Sequence, residues 1–339
     1  MLKGQRDNWS RLLTWPLILA RQRVSWSPIV IAGEFWRLLT HIDEQREILR
    51  LLKLRPLNEI YERSPRIAHK FVAPDYLARG FTVIERASCF LHHYRRMHSS
   101  LPECTLRQIL HGYVTLHEFD QGGNHFALTI GLPEQIGDRE GELSLDLRVD
   151  SKRVFNLSFT IIPGWVVKSE AAEILLITRL QGMLGSGSQI RLARKAYHEF
   201  FPSKLLLAAL QGFADAFGIS DLEAVSSTNQ RSYREEDAAL FKRRYDGFFA
   251  NLGMSATTAG FYSSRIPIES RPLASFRGRN RSQAKKRRSV RQQIRSACAD
   301  CLLNSTGQAT DSAFGTISFA QLPAAVESVH SPVSVSTPN

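Results

Sequence analysis

The chain has 339 residues, of which 43% are hydrophobic and 22% charged, so it is long enough to bury the core of one large domain or two ordinary ones. Four cysteines are too few for a disulfide framework at this length, which excludes the small disulfide-rich class of secreted proteins. The net charge of +12 is concentrated in residues 276–295, which hold nine Lys or Arg and no acid, and the remainder carries only +3.

The start of the chain resembles neither a secretory signal nor a membrane anchor. Its apolar run, Leu12 to Ala20, contains Pro16 and is not followed by a small-residue cleavage pattern. No stretch reaches the ~18 apolar residues that a spanning helix needs. We therefore expect a cytoplasmic protein, and the basic residues 276–295 leave open a peripheral attachment to the inner membrane.

Residues 1–110 are predicted to be a helical region. FWRLLTHIDEQREILRLL repeats apolar residues at helical spacing, and DYLARGFTVIERASCFLHHYRRM predicts a second long helix whose weak point is Gly80. Cys89, His92 and His93 recur at helical spacing in that second segment. A nucleophile or metal site there would need further groups from elsewhere, so we interpret this face as polar and partly buried.

The period changes at Gly112 and predicts a sheet. YVTLHEF and HFALTIGL flank the turn-forming cluster DQGGN, and LSLDLRV and FNLSFTII alternate apolar with polar residues, so four strands form an antiparallel meander. AAEILLITRL lacks alternation, as expected of a strand covered on both faces. LSLDLRV places Ser144, Asp146 and Arg148 opposite its leucines.

A crossover of helical sequence follows this strand. SKLLLAALQGFADAFG predicts a buried helix with Gly218 just after its end, and DLEAVS predicts a strand parallel to the one before the crossover. A helix carrying Tyr245 and a last strand, TTAGFYS, complete a mixed α/β core over residues 111–265. The basic segment 266–300 is predicted to be helical, and residues 301–339 are predicted to form a disordered tail.

The glycine-rich stretch TRLQGMLGSGSQIRLARKAYHEFFP excludes two common nucleotide loops. Gly182 and Gly187 have the spacing of a nucleoside-triphosphate loop, but Ser188 and Gln189 stand where Lys and Ser/Thr are required. The dinucleotide pattern Gly-x-Gly-x-x-Gly is absent as well. The Cys-x-x-Cys pair at Cys298 lacks the second pair of a four-thiolate zinc site, so no metal is predicted.

The same stretch resembles the coenzyme A (CoA) loop of GNAT acyltransferases, Gln/Arg-x-x-Gly-x-Gly/Ala, although Leu184 stands where a small residue is expected. In that family the backbone N–H groups of the loop hold the CoA pyrophosphate at a helix N-terminus. The resemblance implies a GNAT-like sheet with flanking helices and a site for CoA or an acyl-CoA. Its implied cofactor-binding residues are Arg179, Gly182, Gly185, Gly187 and Ser188, with Asn229 orienting the acyl group and Tyr245 protonating the leaving thiolate.

Two structural alternatives stay open for these residues. The glycines equally fit a helix that packs closely, and Tyr245 equally fits the apolar stripe of its own helix.

The basic segment has two functional interpretations besides that of a solvated helix. It fits an arm that neutralises nucleic-acid phosphates, and it fits a patch that binds anionic lipid headgroups. Either partner would be held by Arg277, Arg279, Arg281, Lys285, Lys286, Arg287, Arg288 and Arg291.

An ordered set of segments, ITRLQG, LLLAALQGFADAFGI, AVSSTNQ and RGRNRSQAKKRRSVRQQI, resembles the bacterial VirK/YbjX family from about residue 30 to residue 295. The resemblance implies a Gram-negative protein of unknown biochemical activity associated with virulence, envelope phenotypes and stress responses, including the DNA damage response. The leading expectation is a CoA-dependent acyltransferase acting on an envelope component or a protein. The alternatives are a non-enzymatic binder of nucleic acid or anionic membrane and a catalytically inactive acyltransferase fold.

Overall fold

Helices form the described chain before the first strand. The computed structural model describes residue 33 and residues 36–134, 138–269 and 272–304. The start of the predicted helical region and most of the predicted tail lie outside these residues. Residues 36–40 are helical, followed by α1 (Ile42–Leu51), α2 (Leu57–Arg63), a 3₁₀ helix (Pro65–Val72), α3 (Val83–Ser100) and α4 (Glu103–His111).

The helix α3 is shorter than the predicted helix after Pro74. Gly80 has a φ of +92°, which ends any helix running through it. Thr82 then caps the new helix, because its side chain accepts a hydrogen bond from the Glu85 amide at 3.2 Å while the Glu85 carboxylate accepts one from the Thr82 amide at 2.7 Å. This Thr-x-x-Glu pair is a capping box, which explains why the helix begins after Thr82.

The predicted antiparallel meander is confirmed. Gly122 and Gly123, both with positive φ, form the turn between the first two strands. The strands are β1 (Tyr113–Gln121), β2 (Asn124–Gly131), β3 (Leu143–Val149), β4 (Lys152–Pro163), β5 (Glu173–Gly182), β6 (Asp221–Val225), β7 (Ser255–Ala256) and β8 (Phe261–Arg265). They form one sheet in the order β1-β2-β3-β4-β5-β6-β8-β7, and among the described strands only β5 and β6 pair in parallel.

The predicted crossover and its parallel strands are also confirmed. Between β5 and β6 the chain forms α5 (Gly187–Ala196) and α6 (Pro202–Phe217). Gly218 ends α6 in the left-handed conformation, as its position in the sequence predicts. The strands β5 and β6 pair only from Leu175 to Ile177, after which β5 continues to Gly182 without β6.

The predicted single helix around Tyr245 is wrong in one respect. The chain forms two short helices, α7 (Ala238–Arg244) and α8 (Asp246–Asn251), and Tyr245 lies at the break between them. The basic segment forms the long helix α9 (Gly278–Asn304). This helix includes Cys298, whose side chain is buried.

Helices pack against the central sheet, which confirms the mixed α/β class. The helix α6 packs against β4, where the Phe159 and Phe213 ring centroids are 4.9 Å apart. The helix α3 also contacts β4, because its His93 accepts a hydrogen bond from the Ile161 amide at 3.1 Å. Within the described residues we find no helix with the length and apolar character to cross a bilayer.

Candidate functional site

One face of the sheet carries buried polar side chains across neighbouring strands. Cross-strand pairing places Asp146 opposite Asn156 and Asn156 opposite Gln181. In the next row, Ser144 faces Ser158. The alternation of LSLDLRV predicted that these positions share a face, but not that Ser144 and Asp146 are 1% and 7% exposed.

A cavity of about 280 Å³ opens over this polar floor, beside the end of β5. Its walls come from β4, from β5 and its following loop, and from the connection after β6. Three arginines line the cavity, against the two carboxylates of residues 134 and 138. The lining includes Arg153, Asn156, Arg179, Gln181, Met183 and Arg231.

Arg179 is the best-anchored cation of the cavity. Its guanidinium lies 2.9 Å from Asp138 Oδ2 and 2.6 Å from Glu140 Oε2. Thr178 holds the same segment in place by donating its hydroxyl to the Glu140 carbonyl. The sequence predicted Arg179 as a cofactor ligand, but it did not identify these two acids, because residues 138–140 are distant in the chain.

Two groups of the floor have properties that suit a binding site. Among the described residues, no donor reaches Oδ1 of Asn156, although its amide nitrogen donates to the hydroxyls of Ser144 and Ser158 at 3.3 and 3.2 Å. Burial raises the pKa of the Asp146 carboxyl, against the hydrogen bond from Ser144 and the charge of Arg153. A buried acceptor without a donor is costly unless a ligand or water satisfies it.

The glycine loop adjoins this cavity through Gln181 and Met183. Gly182 is the last residue of β5, Gly185 has a φ of +74°, and Gly187 begins α5. No side chain caps α5, so its first backbone N–H groups are available to an anion.

Two other loop residues differ in what they contact. The Ser188 hydroxyl donates to the side-chain oxygen of Gln189 at 2.8 Å. Leu184, the departure from the family pattern, has a fully exposed side chain that does not fill the loop.

Tyr245 lies within electrostatic reach of the same cavity. Burial raises the pKa of its phenol to about 12, and the negative charge of Glu140 adds to the effect, partly offset by Arg179. Its ring stacks on Phe241 with centroids 5.7 Å apart. The phenol therefore stays protonated at neutral pH and is able to donate a proton.

Asp246 fixes the position of Tyr245, and sequence reasoning missed it. Its carboxylate accepts hydrogen bonds from the Ser227 amide at 2.8 Å and from the Ser227 hydroxyl at 2.6 Å. These bonds tie the start of α8 to the connection after β6. Only the fold brings the two residues, which are 19 positions apart, together.

Asn229 supports the turn before β8. Its side-chain amide nitrogen donates to the Gly260 carbonyl at 3.1 Å, and its backbone carbonyl accepts from the Arg79 backbone amide at 3.0 Å. Gly260 has a φ of +82°, and a Cβ there would lie 2.3 Å from the Asn229 side chain. The assignment of Asn229 to the acyl group stays a prediction beside this structural role.

The polar side chains of α3 hold this helix against the sheet. His92 and Arg96 bind Glu173 of β5 at 3.0 and 2.9 Å, and Cys89 is buried. Burial and the nearby Lys70 lower the pKa of His93 to about 3, so its ring is neutral and accepts the Ile161 amide. The described residues contain no group of three or more His, Cys, Asp or Glu placed to hold a metal.

The basic residues in and just before α9 divide into two sets. The first set is exposed and consists of Arg277, which precedes the helix, and of Arg279, Arg281, Lys285 and Lys286 in its first turns. The second set is half-buried and lines a different cavity beside α6: Arg287, Arg288 and Arg291. A single arm with one role does not describe both sets.

Comparison with known proteins supplies a family and no activity. No curated protein and no solved structure matches the chain. A family model described as "Protein of unknown function (DUF535)" matches residues 35–300, which is most of the chain. This is the VirK/YbjX family that the ordered segments resemble, and the chain is a member of it.

Proposed function

We propose that the chain is a CoA-dependent acyltransferase whose cofactor lies beside the end of β5. The proposal rests mainly on the parallel strands β5 and β6, which pair over three residues and then separate. The polar cavity and the uncapped start of α5 lie next to the end of β5. The order of elements along the chain, with strands, the glycine loop, helices, a strand, short helices and a last strand, supports the same proposal because it resembles the order in GNAT proteins.

The roles follow from the chemistry of the groups present. The N–H groups at Gly187 and Ser188, at the start of α5, would hold the pyrophosphate. The exposed edge of β5 beyond Ile177 would bind the amides of the pantetheine arm as an extra strand does. Asn156 Oδ1 would accept a hydrogen bond from CoA or the acceptor.

In the proposed reaction Tyr245 is the proton donor. The acceptor nitrogen or oxygen forms a bond to the thioester carbonyl, and the carbon–sulfur bond breaks. Tyr245 donates its proton to the departing thiolate, and the proton lost by the acceptor restores the phenol. We propose an envelope component or a protein as the acceptor, in keeping with the virulence and stress setting that the VirK/YbjX resemblance implies.

Calorimetric titration of the full chain with CoA tests the binding step. Gly187→Val places a branched side chain at the helix start, where a Cβ has only the Arg191 side chain at 3.8 Å, so the fold should persist. The added side chain should keep the phosphate from approaching the N–H groups of the helix start. We expect CoA affinity to fall about tenfold or more, because one charge-assisted contact is worth roughly that factor.

Leu184→Ala is the matched control in the same loop, because the Leu184 side chain is fully exposed. It should leave CoA affinity unchanged. Absence of heat and of a thermal shift with the unmodified chain would contradict the proposal, as would equal losses in both variants.

A second candidate function rests on the exposed half of α9. Four cations there and Arg277 just before the helix face solvent, which favours binding to a polyanionic surface, either nucleic acid or an anionic membrane. Such binding is recognised by a steep loss of affinity as salt rises.

A further inference from the structure

Two buried polar atoms of the cavity beside the end of β5 have no hydrogen-bond partner among the described residues. They are the side-chain oxygen Oδ1 of Asn156 and the guanidinium Nε of Arg179. Both residues line the cavity, whose volume is about 280 Å³. A buried donor or acceptor costs free energy unless a ligand or a water satisfies it. The cavity therefore offers a ligand one acceptor and one donor.

Neighbouring hydroxyls fix the orientation of Asn156, which is 1% exposed. Its amide nitrogen donates to the hydroxyls of Ser144 and Ser158 at 3.3 and 3.2 Å. The Ser144 hydroxyl donates its own proton to Asp146 Oδ1 at 2.7 Å, so toward Asn156 it only accepts. The amide nitrogen is consequently turned to the two serines, and Oδ1 is left for the cavity that Asn156 lines.

Two acids fix the orientation of Arg179. Its terminal nitrogens lie 2.6 Å from Glu140 Oε2 and 2.9 Å from Asp138 Oδ2, so both acids bind the far end of the guanidinium. The Nε–H lies on another edge of the same plane, and neither acid accepts it. Because a guanidinium stays protonated in proteins, this nitrogen acts only as a donor.

The arginines that line the cavity are already paired with carboxylates. Besides the two acids on Arg179, Asp75 Oδ2 lies 2.8 Å from Nε of Arg231, and Glu134 binds Arg153. An anionic ligand would compete with these carboxylates and be repelled by them. The cavity therefore favours a polar ligand without net charge.

The positions of the two atoms favour a ligand with hydroxyls on different carbons. Cross-strand pairing places Asn156 opposite Gln181 and Ser158 opposite Arg179, so Asn156 and Arg179 are diagonal neighbours on one face of the sheet. The Cβ atoms of such neighbours are up to about 7–8 Å apart. Two hydroxyls on one ring bridge such a separation more readily than a single amide or alcohol does, and each hydroxyl both donates and accepts.

We propose that this cavity binds a neutral polyhydroxylated ring, a monosaccharide unit. One hydroxyl would donate to Asn156 Oδ1, and another would accept from Arg179 Nε. The exposed Gln181 side chain would bind a further hydroxyl, and Met183 would lie against the C–H groups of the ring. A volume of about 280 Å³ lies just below the range of drug-sized sites, which suits one ring.

The monosaccharide unit would belong to the acceptor of the acyl group, and this role alone rests on the proposed function. The Glu140 carboxylate raises the pKa of the Tyr245 phenol and the Arg179 guanidinium lowers it, so the cavity and the proposed proton donor are neighbours. Binding of the ring itself needs no CoA and is measured without it.

Saturation-transfer NMR on the full chain without CoA tests the binding. The probes are the methyl glycosides of glucose, galactose, mannose and N-acetylglucosamine, with cyclohexanol and glucose 6-phosphate as comparisons. We expect at least one glycoside to bind and cyclohexanol to give no signal. Glucose 6-phosphate should bind no more tightly than methyl glucoside, because the arginines already hold carboxylates. Binding of glucose 6-phosphate alone, or of no glycoside, would overturn the proposal.

Variants locate the binding within the cavity. Arg179→Lys keeps a cation for Asp138 and Glu140 but removes the Nε donor, and it should weaken the glycoside about tenfold. Asn156→Leu removes the acceptor at similar size and should weaken it about fivefold. Asn251→Leu, exposed at the end of α8, should leave the affinity unchanged. Circular dichroism checks each fold, and unchanged affinity in both cavity variants, or an equal loss in Asn251→Leu, would contradict the assignment.

This proposal and the proposed function fail separately. A chain that binds CoA but no glycoside would lack the monosaccharide site and keep the cofactor site. A chain that binds a glycoside but not CoA would keep the monosaccharide site and contradict acyl transfer.

Discussion

Replacing Lys70 with Met should cost about 3–5 kcal/mol of unfolding free energy, because it leaves a buried carboxylate without its cation. Lys70 Nζ lies 2.7 Å from Glu142 Oε1, and both side chains are at most 3% exposed. The hydroxyls of Tyr76 and Tyr94 donate to the two Glu142 oxygens at 2.7 and 2.6 Å. In Lys70→Met these two hydrogen bonds remain, but the negative charge is no longer compensated.

Urea unfolding of the full chain measures this change, and two variants control it. Arg95→Met breaks the exposed ion pair with Glu47 and should change the unfolding free energy by less than about 1 kcal/mol. The double variant Lys70→Met/Glu142→Gln removes both charges and should recover part of the loss. If Lys70→Met is no more destabilised than Arg95→Met, the buried network is not a major source of stability.

This network also supports the candidate site. Glu142 follows directly on the segment that carries Asp138 and Glu140, the two acids that hold Arg179. The Glu142 amide donates to the Thr160 hydroxyl of β4 at 3.1 Å, so the segment is fixed at both ends against the sheet. A chain that loses the ion pair should therefore also bind ligands at the cavity less tightly.

Replacing Tyr245 with Phe should lower the rate of acyl transfer by about 10²–10⁴, the usual contribution of a positioned general acid. The phenyl ring keeps the stacking on Phe241, so the fold and the affinity for acetyl-CoA should change little. Thiol release from acetyl-CoA with a lysine-containing peptide as acceptor measures the rate. Because burial raises the phenol pKa to about 12, its ionisation should leave no step in the rate between pH 7 and 10.

Tyr113→Phe is the matched control for this change, because Tyr113 is exposed on the edge strand β1. It should keep the full rate. A Tyr245→Phe chain that transfers acyl groups as fast as the unmodified chain would remove Tyr245 from the mechanism, and a loss of CoA binding alone would assign it a structural role.

Local patterns were sufficient to predict most of the fold. Period-two alternation predicted β3 and β4, and the continuous apolar run predicted β5. Gly218 predicted the end of α6. The long helical segment between β5 and β6 predicted that these two strands are parallel. These signals are local because each depends on the spacing of residues within one element.

The candidate site was harder to predict because distant segments build it. The alternation of β3 is the same whether Asp146 faces solvent or a covered floor, and only the fold shows that it is 7% exposed. Arg179 was identified, but its partners Asp138 and Glu140 were not. Tyr245 was placed inside a helix because its apolar neighbours have helical spacing, and that spacing carries no sign of the break between α7 and α8.

Hydrogen exchange with and without CoA tests most directly the claim that the end of β5 and the start of α5 form a cofactor site. In the free protein no side chain caps α5, and β5 beyond Ile177 has no β6 partner. We expect CoA to slow exchange at the amides of residues 178–190, because bound phosphate and pantetheine groups would accept or cover them. Unchanged exchange across these residues at saturating CoA, or protection confined to the cavity beside α9, would contradict the account.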